Sequence, residues 1–178
     1  MSENNAPWVG LAARVVRVAL MRKDVGYAEL AKRLAAFGIR DDEKGLAARV
    51  AVGRVRLELF LQILEAVDSE LPTIWCSAME SAQPWETRAK EVIRCELNQI
   101  PPFSVDELAS RLARLGAGFT HKTLVAHISS GNLSLPDFLK CLVILRSRSL
   151  DAFVEYRDLV SAAHLQIVTV DNADGCRA

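Results

Sequence analysis

The chain contains the same pattern twice, about 77 residues apart. The stretch from Pro7 to Leu64 returns between Pro84 and Leu142, and roughly a third of the paired positions are identical once one extra residue is allowed near Pro101. A repeat of this length indicates two tandem units rather than a short-repeat solenoid. A unit of roughly 60 residues is only marginally stable alone, so we expect the copies to pack on each other or on flanking segments.

The repeat divides the chain into four segments. The two copies occupy residues 7–67 and 84–146. Between them, residues 68–83 form a linker that is too apolar for a free tether, so we expect it to dock. Its large apolar residues are Leu71, Ile74 and Trp75. Residues 147–178 are predicted to form a C-terminal helix to about His164, then a short strand at LQIVTV and a fraying end.

Each copy has the pattern of four or five short helices. Apolar residues recur at helical spacing from Trp8 to Met21, and again from Trp85, so we expect the two tryptophans to anchor the core. A second helix is predicted to end at Gly38 or Gly116, and in the second copy its start at Ser104, with Glu107 three residues on, has the pattern of a capping box. The third helix ends at the glycine of AVG or SSG, and the fourth carries FLQIL or FLKCL. The predicted fold is therefore all-α.

The net charge is zero, but the charge is unevenly distributed. Residues 7–67 carry 11 basic and 7 acidic groups, and residues 84–146 carry 8 and 6, which leaves the linker and tails acidic. Basic repeats are compatible with moderate affinity for nucleic acid. No apolar run approaches the roughly 20 residues of a membrane-spanning helix, and the first residues lack the features of a signal peptide, so we expect a cytoplasmic protein.

The chain lacks the common motifs of catalysis and metal binding. It has no glycine-rich phosphate loop, no HExxH and no GxSxG. Its four cysteines and three histidines do not have the spacing of metal ligands, and Cys95 and Cys141 fall at core positions of the repeat. We therefore expect no enzymatic activity, no cofactor and no metal site.

Residues 7–67 and 84–146 share one order of elements. An AELAxRLxxxG helix is followed by a short turn, an amphipathic helix that ends in glycine, a polar loop and an FLxxL helix. This order resembles the lambda-repressor-like helix-turn-helix. The tryptophan-led first helix and the FLQIL or FLKCL ending are similar, more narrowly, to an uncharacterised bacterial domain family with that fold. The resemblance implies that the second helix crosses a DNA backbone, the third enters the major groove and the fourth closes the core. The turns GIRDDEKG and GAGFTHKT are longer than the family's tight turn, so we expect the third helix to tilt differently.

The candidate DNA contacts lie on the third helices and the loops that follow them. A groove-reading helix needs hydrogen-bonding side chains in its first turn and cations beside it. In the second copy the candidates are Thr120, His121, Lys122, Thr123, His127, Ser130 and Asn132. In the first copy they are Lys44, Arg49, Arg54 and Arg56, after an acidic start at Asp41, Asp42 and Glu43 that suits the helix dipole but repels phosphates.

Two functional hypotheses follow. In the first, the chain is a bacterial transcriptional regulator whose two units, arranged as a pseudo-dimer, read unlike half-sites of double-stranded DNA about one helical turn, ~34 Å, apart. A variant has one copy reading DNA while the acidic copy pairs with a second chain. In the second, a helical adaptor or inhibitor binds a protein partner, or forms a homodimer, through the apolar linker and C-terminal helix, which the 51% hydrophobic content favours. Trp75→Ala would then abolish partner binding.

Overall fold

The computed structural model describes residues 5–99 and 102–174, with side chains as far as Gln166. These residues form α-helices and turns, with one 3₁₀ turn at Thr73–Trp75 and no strand. The first repeat contains α1 (Ala6–Arg22), α2 (Tyr27–Ala35), α3 (Glu43–Ala51) and α4 (Leu57–Ala66), and the linker contains α5 (Cys76–Glu80). The second repeat contains α6 (Trp85–Leu97), α7 (Val105–Arg114), α8 (His121–Ser130) and α9 (Leu135–Ile144), and α10 (Tyr156–Asp174) follows it. The predicted all-α architecture of two tandem helical units is confirmed.

Local sequence signals set several helix ends. The backbone N–H of Glu107 donates to the hydroxyl of Ser104 at 3.1 Å, so Ser104 caps α7 as predicted. The carboxylate of Glu107 pairs with Arg111 one turn later at 2.6 Å, and the equivalent Glu29 pairs with Arg33 at 3.0 Å. These i,i+4 ion pairs support the second helix of both repeats.

The two repeats share one hydrophobic core because their first helices are exchanged. Helix α1 packs on α9, the last helix of the second repeat, and α6 packs on α4, the last helix of the first. Each first helix also contacts the third helix of its own repeat. Trp8, Phe60 and Phe138 are fully buried in this common core. We call this reciprocal arrangement the pseudo-dimer.

A short backbone bridge lies at the centre of the pseudo-dimer. The N–H of Leu57 donates to the carbonyl of Leu133 at 2.9 Å, and the N–H of Leu135 donates to the carbonyl of Val55 at 2.7 Å. Leu57 and Leu135 occupy equivalent positions in the repeat, as do Val55 and Leu133. The antiparallel pair between Arg56 and Ser134 therefore lies where a pseudo-twofold axis would pass.

The segment after each repeat also crosses to the other repeat. Trp75 of the linker is buried with its ring 5.8 Å from that of Phe138, and its Nε1 donates to Glu96 at 2.7 Å. Phe153, which follows the second repeat, lies 6.5 Å from Phe60, the equivalent of Phe138. The linker is thus docked in the core of the protein.

The prediction for the C-terminal segment is wrong in three respects. Helix α10 begins only at Tyr156, and it continues through LQIVTV to Asp174 instead of giving way to a strand after His164. Leu159, Ala162, Ala163 and Gln166 are buried at helical spacing, and Trp8 Nε1 donates to Gln166 Oε1 at 2.6 Å. This packing outweighs the weak strand preference of a few β-branched residues. The fraying predicted for residues 171–178 is not seen at 171–174, which belong to α10, and residues 175–178 lie outside the described part of the chain.

Two equivalent residues end the fourth helices in a strained conformation. Asp68 has φ 49° and Arg146 has φ 54°, a left-handed geometry that costs an L-residue roughly 1–2 kcal/mol. The N–H of Ser147 closes the turn on the carbonyl of Leu142 at 2.8 Å. We expect Arg146→Gly to raise the free energy of unfolding by about 0.5–1 kcal/mol, because glycine relieves more strain than it adds chain entropy. Urea denaturation measures this, and a loss of stability would contradict it.

Candidate nucleic-acid interface

The third helices, α3 and α8, expose their first turns. Lys44 and Lys122 lie at equivalent positions there, and both side chains are exposed. Neither lysine forms an ion pair within the described part of the chain. A helix N-terminus already favours anions, and an unpaired lysine beside it strengthens that preference.

The first turn of α8 is partly occupied by its own hydrogen bonds. The Thr120 hydroxyl accepts from the N–H of Thr123 at 3.3 Å, and the two hydroxyl oxygens lie 2.9 Å apart. His121 Nε2 lies 3.3 Å from the carbonyl oxygen of Asp106 and 3.7 Å from its carboxylate. A threonine hydroxyl has both a donor and two acceptor positions, so Thr120 and Thr123 retain capacity for a further partner.

Helix α3 begins with acidic residues, and the carboxylates of Asp41 and Asp42 bind other groups of the first repeat. Asp42 caps the helix by accepting from the N–H of Gly45 at 2.7 Å. Asp41 pairs with Arg49 at 2.9 Å, so the charge of that arginine is partly compensated. The two third helices therefore present different chemistry to a ligand, although their backbones are equivalent.

Three adjoining cavities form one groove across the centre of the pseudo-dimer, and Arg56 lines all three. We call it the junction groove. The cavity on the first repeat, of about 380 Å³, is lined by Ile39, Arg49, Arg54, Arg56, Glu58, Leu59 and Gln62. The central cavity, of about 350 Å³, is lined by Arg56, Glu58, Glu86, Ser130, Gly131 and Asn132. The cavity on the second repeat, of about 270 Å³, is lined by Arg56, Phe119, His127, Asn132, Ser134 and Asp137.

The groove brings together six of the eleven predicted site residues: Arg49, Arg54, Arg56, His127, Ser130 and Asn132. The other five do not line it. Lys44, Thr120, His121, Lys122 and Thr123 belong instead to the first turns of α3 and α8 or cap them. The predicted residues therefore fall into two groups, one at the helix starts and one in the junction groove.

Sequence reasoning missed several residues of the groove. Phe119 is exposed, and its ring lies edge-on to that of His127 at 5.0 Å. Burial raises the pKa of the Glu58 carboxyl, as does the negative charge of Glu86, while Arg56 opposes the shift. The sequence gives little indication that Phe119, Glu58 and Glu86 lie in the groove, because a lone aromatic residue or a glutamate early in a helix is common in any helical protein.

A buried ion pair lies beside the second-repeat cavity. The ammonium group of Lys140 is buried, 3.2 Å from a carboxylate oxygen of Asp137 and 2.9 Å from the side-chain oxygen of Asn5. The ammonium also lies 5.9 Å from the centre of the Trp8 ring. Because Asp137 compensates its charge, this lysine offers little attraction to a ligand in the groove. The available signal was a lysine among the apolar residues of FLKCL, at the position that Gln62 occupies in FLQIL.

The described residues offer little support for a metal site, a reactive thiol or a membrane-spanning helix. They contain no group of three or more histidine, cysteine, aspartate or glutamate side chains placed to hold a metal ion. Cys141 is buried as predicted, and burial, with the nearby charge of Asp137, raises the pKa of its thiol, whereas Cys95 is half-buried. No helix in the described part of the chain combines the length and apolarity needed to cross a membrane.

Comparison with known proteins identifies the repeated unit. Residues 8–71 and 85–150 each match the family described as a domain of unknown function, DUF6471. No curated protein matches the chain, and no solved structure matches it. The two matched segments together span more than half of the chain, and they coincide with the two helical repeats of the pseudo-dimer. The chain therefore belongs to the DUF6471 family and contains its domain twice.

Proposed function

We propose that this protein binds double-stranded DNA and regulates transcription, with the two repeats acting as the halves of a helix-turn-helix dimer within one polypeptide. The observation that carries the proposal is the reciprocal bridge at Arg56 and Ser134. It places the loops that follow α3 and α8 side by side at the centre of the pseudo-dimer. A pair of related helices about a twofold axis matches the symmetry of duplex DNA.

The chemistry of the exposed residues supports the same proposal. Lys122 lies at the N-terminal end of α8, where a phosphate would meet both a cation and backbone N–H groups. Lys44 is at the equivalent place on α3, beside the carboxylates of Asp42 and Glu43. Arg54 and Arg56 lie at the centre, between the two third helices. Cations at the ends and the centre of one surface suit contacts along a DNA backbone, which holds the protein in register.

The two halves are expected to read different sequences. Helix α8 begins with Thr120, His121 and Thr123, which can form hydrogen bonds to base edges, whereas α3 begins with acidic residues. Half-sites of unlike sequence, with centres about 34 Å apart, therefore remain our expectation. A protein of this kind would act in the bacterial cytoplasm.

The alternative function is that of an adaptor or inhibitor that binds a protein partner or forms a homodimer. One of the two surfaces expected for it is not exposed. Trp75 is buried against Phe138 and hydrogen-bonded to Glu96, so the linker does not present it to a partner. The C-terminal helix remains compatible with this alternative, since Leu165 is 62% exposed beside a shallow cavity between α1 and α10. The charged junction groove favours DNA as the ligand.

Selection of bound sequences from a random duplex library, at two salt concentrations, tests the proposal. We expect an enriched, asymmetric motif whose affinity falls steeply with salt. We expect Lys122→Ala to weaken binding about tenfold at low salt and to flatten the salt dependence by about one unit, the value of one phosphate contact. Lys23→Ala, at an exposed lysine that follows α1, should leave both quantities unchanged.

Three results would contradict the proposal or its assignment of residues. Absence of duplex binding at low salt would rule out DNA as the ligand. Binding that Lys122→Ala and Lys23→Ala weaken equally would mean that α8 does not make the contact. Binding without an enriched motif would replace the regulator with an architectural DNA-binding protein.

A further inference from the structure

We infer that the first-repeat cavity of the junction groove is a phosphate-binding site and that its counterpart in the second repeat is not. We call it the arginine cavity, after Arg49, Arg54 and Arg56 in its wall. The inference rests on the proposed function in part, because a phosphate of the DNA backbone is one ligand that would fill it. A free phosphorylated small molecule has the same chemistry and is the other.

The arginine cavity carries positive charge that the protein does not neutralise. Arg54 and Arg56 are exposed and form no ion pair within the described residues, whereas Arg49 is paired with Asp41. Glu58 lies in the same wall, and its electrostatic interaction with Arg56 partly offsets the charge of that arginine. Arg54 therefore supplies charge that no carboxylate of the described residues offsets, and it would attract an anion into the concave space.

A polar side chain in the same wall is available to a ligand. Gln62 is only 5% exposed and lines the cavity, and its side chain makes no hydrogen bond within the described part of the chain. Its amide is not among the fully buried polar groups, so it is accessible from the cavity. An oxygen of a bound phosphate would accept from the Gln62 amide and from an arginine at once.

The shape of the cavity suits a phosphate that belongs to a larger ligand. Its volume of about 380 Å³ exceeds what one phosphate group needs, so a sugar or the next phosphate could enter as well. Ile39 and Leu59 supply an apolar part of the wall. Arginine also presents a planar fork that matches two phosphate oxygens.

The second repeat has lost these groups at every equivalent position. His127, Asn132 and Ser134 replace Arg49, Arg54 and Arg56, and Lys140 replaces Gln62. The ammonium of Lys140 points into the core and is compensated by Asp137, so it does not restore the charge. The arginine cavity therefore has three arginines in its wall, whereas Arg56 is the one arginine of the described residues that lines the second-repeat cavity, so a ligand that lies across the groove would have a single orientation.

Exchanging residues between the repeats tests the inference on the full chain. We expect Arg54→Asn and Arg56→Ser, which give the first repeat the residues of the second, each to weaken binding of a random-sequence duplex about five- to tenfold. Each should also flatten the salt dependence by about one unit. Lys23→Ala, the control outside the groove, should change the affinity less than twofold. Equal losses at Lys23 and Arg54, or arginine variants with an unchanged salt dependence, would overturn the inference.

A second readout separates this inference from the proposed function. Pyrophosphate is titrated into the protein while the side-chain amide signals of Gln62 are followed by NMR. If the duplex does not bind, a saturable shift of Gln62 that Arg54→Asn abolishes would identify a free phosphorylated ligand and retain the cavity as a phosphate site. If neither the duplex nor pyrophosphate binds, the inference and the proposed function both fail.

Discussion

Replacement of Trp75 with alanine is expected to lower the free energy of unfolding by about 4 kcal/mol, the usual cost of removing a buried aromatic ring. The indole is fully buried between the linker and the second repeat, with its ring 5.8 Å from that of Phe138. Its loss would leave a cavity that the surrounding helices cannot close. It would also remove the 2.7 Å hydrogen bond to the buried Glu96, whose other carboxylate oxygen accepts from Gln99 at 2.8 Å. Urea denaturation followed by circular dichroism gives the value directly.

Two companion variants separate the causes of that loss. Trp75→Phe keeps a six-membered aromatic ring but removes the hydrogen bond and part of the buried volume, so it should cost about 1–3 kcal/mol. Ile74→Ala changes the neighbouring residue, which is 40% exposed, and should cost less than about 1 kcal/mol. If Trp75→Ala were as mild as Ile74→Ala, the linker would not be docked in solution, and Trp75 would again be available to a protein partner.

Gly131→Ala is expected to destabilise the protein by about 3 kcal/mol or more through strain and overpacking. Gly131 ends α8 with φ 78°, a conformation that alanine adopts only with strain. A Cβ atom there would lie 2.6 Å from the backbone nitrogen of Lys90 and 2.8 Å from the carbonyl oxygen of Glu86. These atoms belong to the backbone of α6, so relief of the overlap requires α6 to move away from α8.

The equivalent glycine of the first repeat provides the matched control. Gly53 has φ 67°, but a Cβ atom there would meet only the side chain of Val9, at 2.9–3.2 Å. Because that side chain can rotate, we expect Gly53→Ala to cost about 1–2 kcal/mol, close to the strain alone. Thermal unfolding of the two variants measures the difference. Equal losses would show that α6 does not approach Gly131 as closely as described.

Both predictions concern contacts of α6, since Trp75 donates to Glu96 on this helix and Gly131 lies against Lys90 and Glu86. Trp75 carries the linker across to the second repeat, and Gly131 allows α6, which packs on α4 of the first repeat, to approach α8. Any movement of α6 would therefore be transmitted to the junction groove, where Glu86 and Gly131 lie in the same wall. Stability and ligand binding are expected to be coupled at this point of the molecule.

Much of the local structure of this protein can be predicted from its sequence. The helix start at Ser104 and the left-handed turn at Gly116 depend on neighbouring residues, so they can be inferred from short patterns. Trp8 is buried, as its place at the head of an apolar stripe predicts, whereas Trp85 at the equivalent place is only partly buried. The same reasoning located the positions of the candidate cations, but not which of them lie together.

Other features of the fold depend on contacts between residues that are far apart in the sequence, so they become visible in the tertiary structure alone. Trp8 bonds to Gln166, and this contact is part of the packing that keeps α10 helical beyond His164, where the sequence favoured a strand. The bridge between Arg56 and Ser134 brings together two loops that are equivalent in the repeat but unlike in charge. A periodic pattern records which face of a helix is buried, but it does not record which helix covers it. The exchange of first helices and the groove across the junction therefore could not be read from the sequence alone.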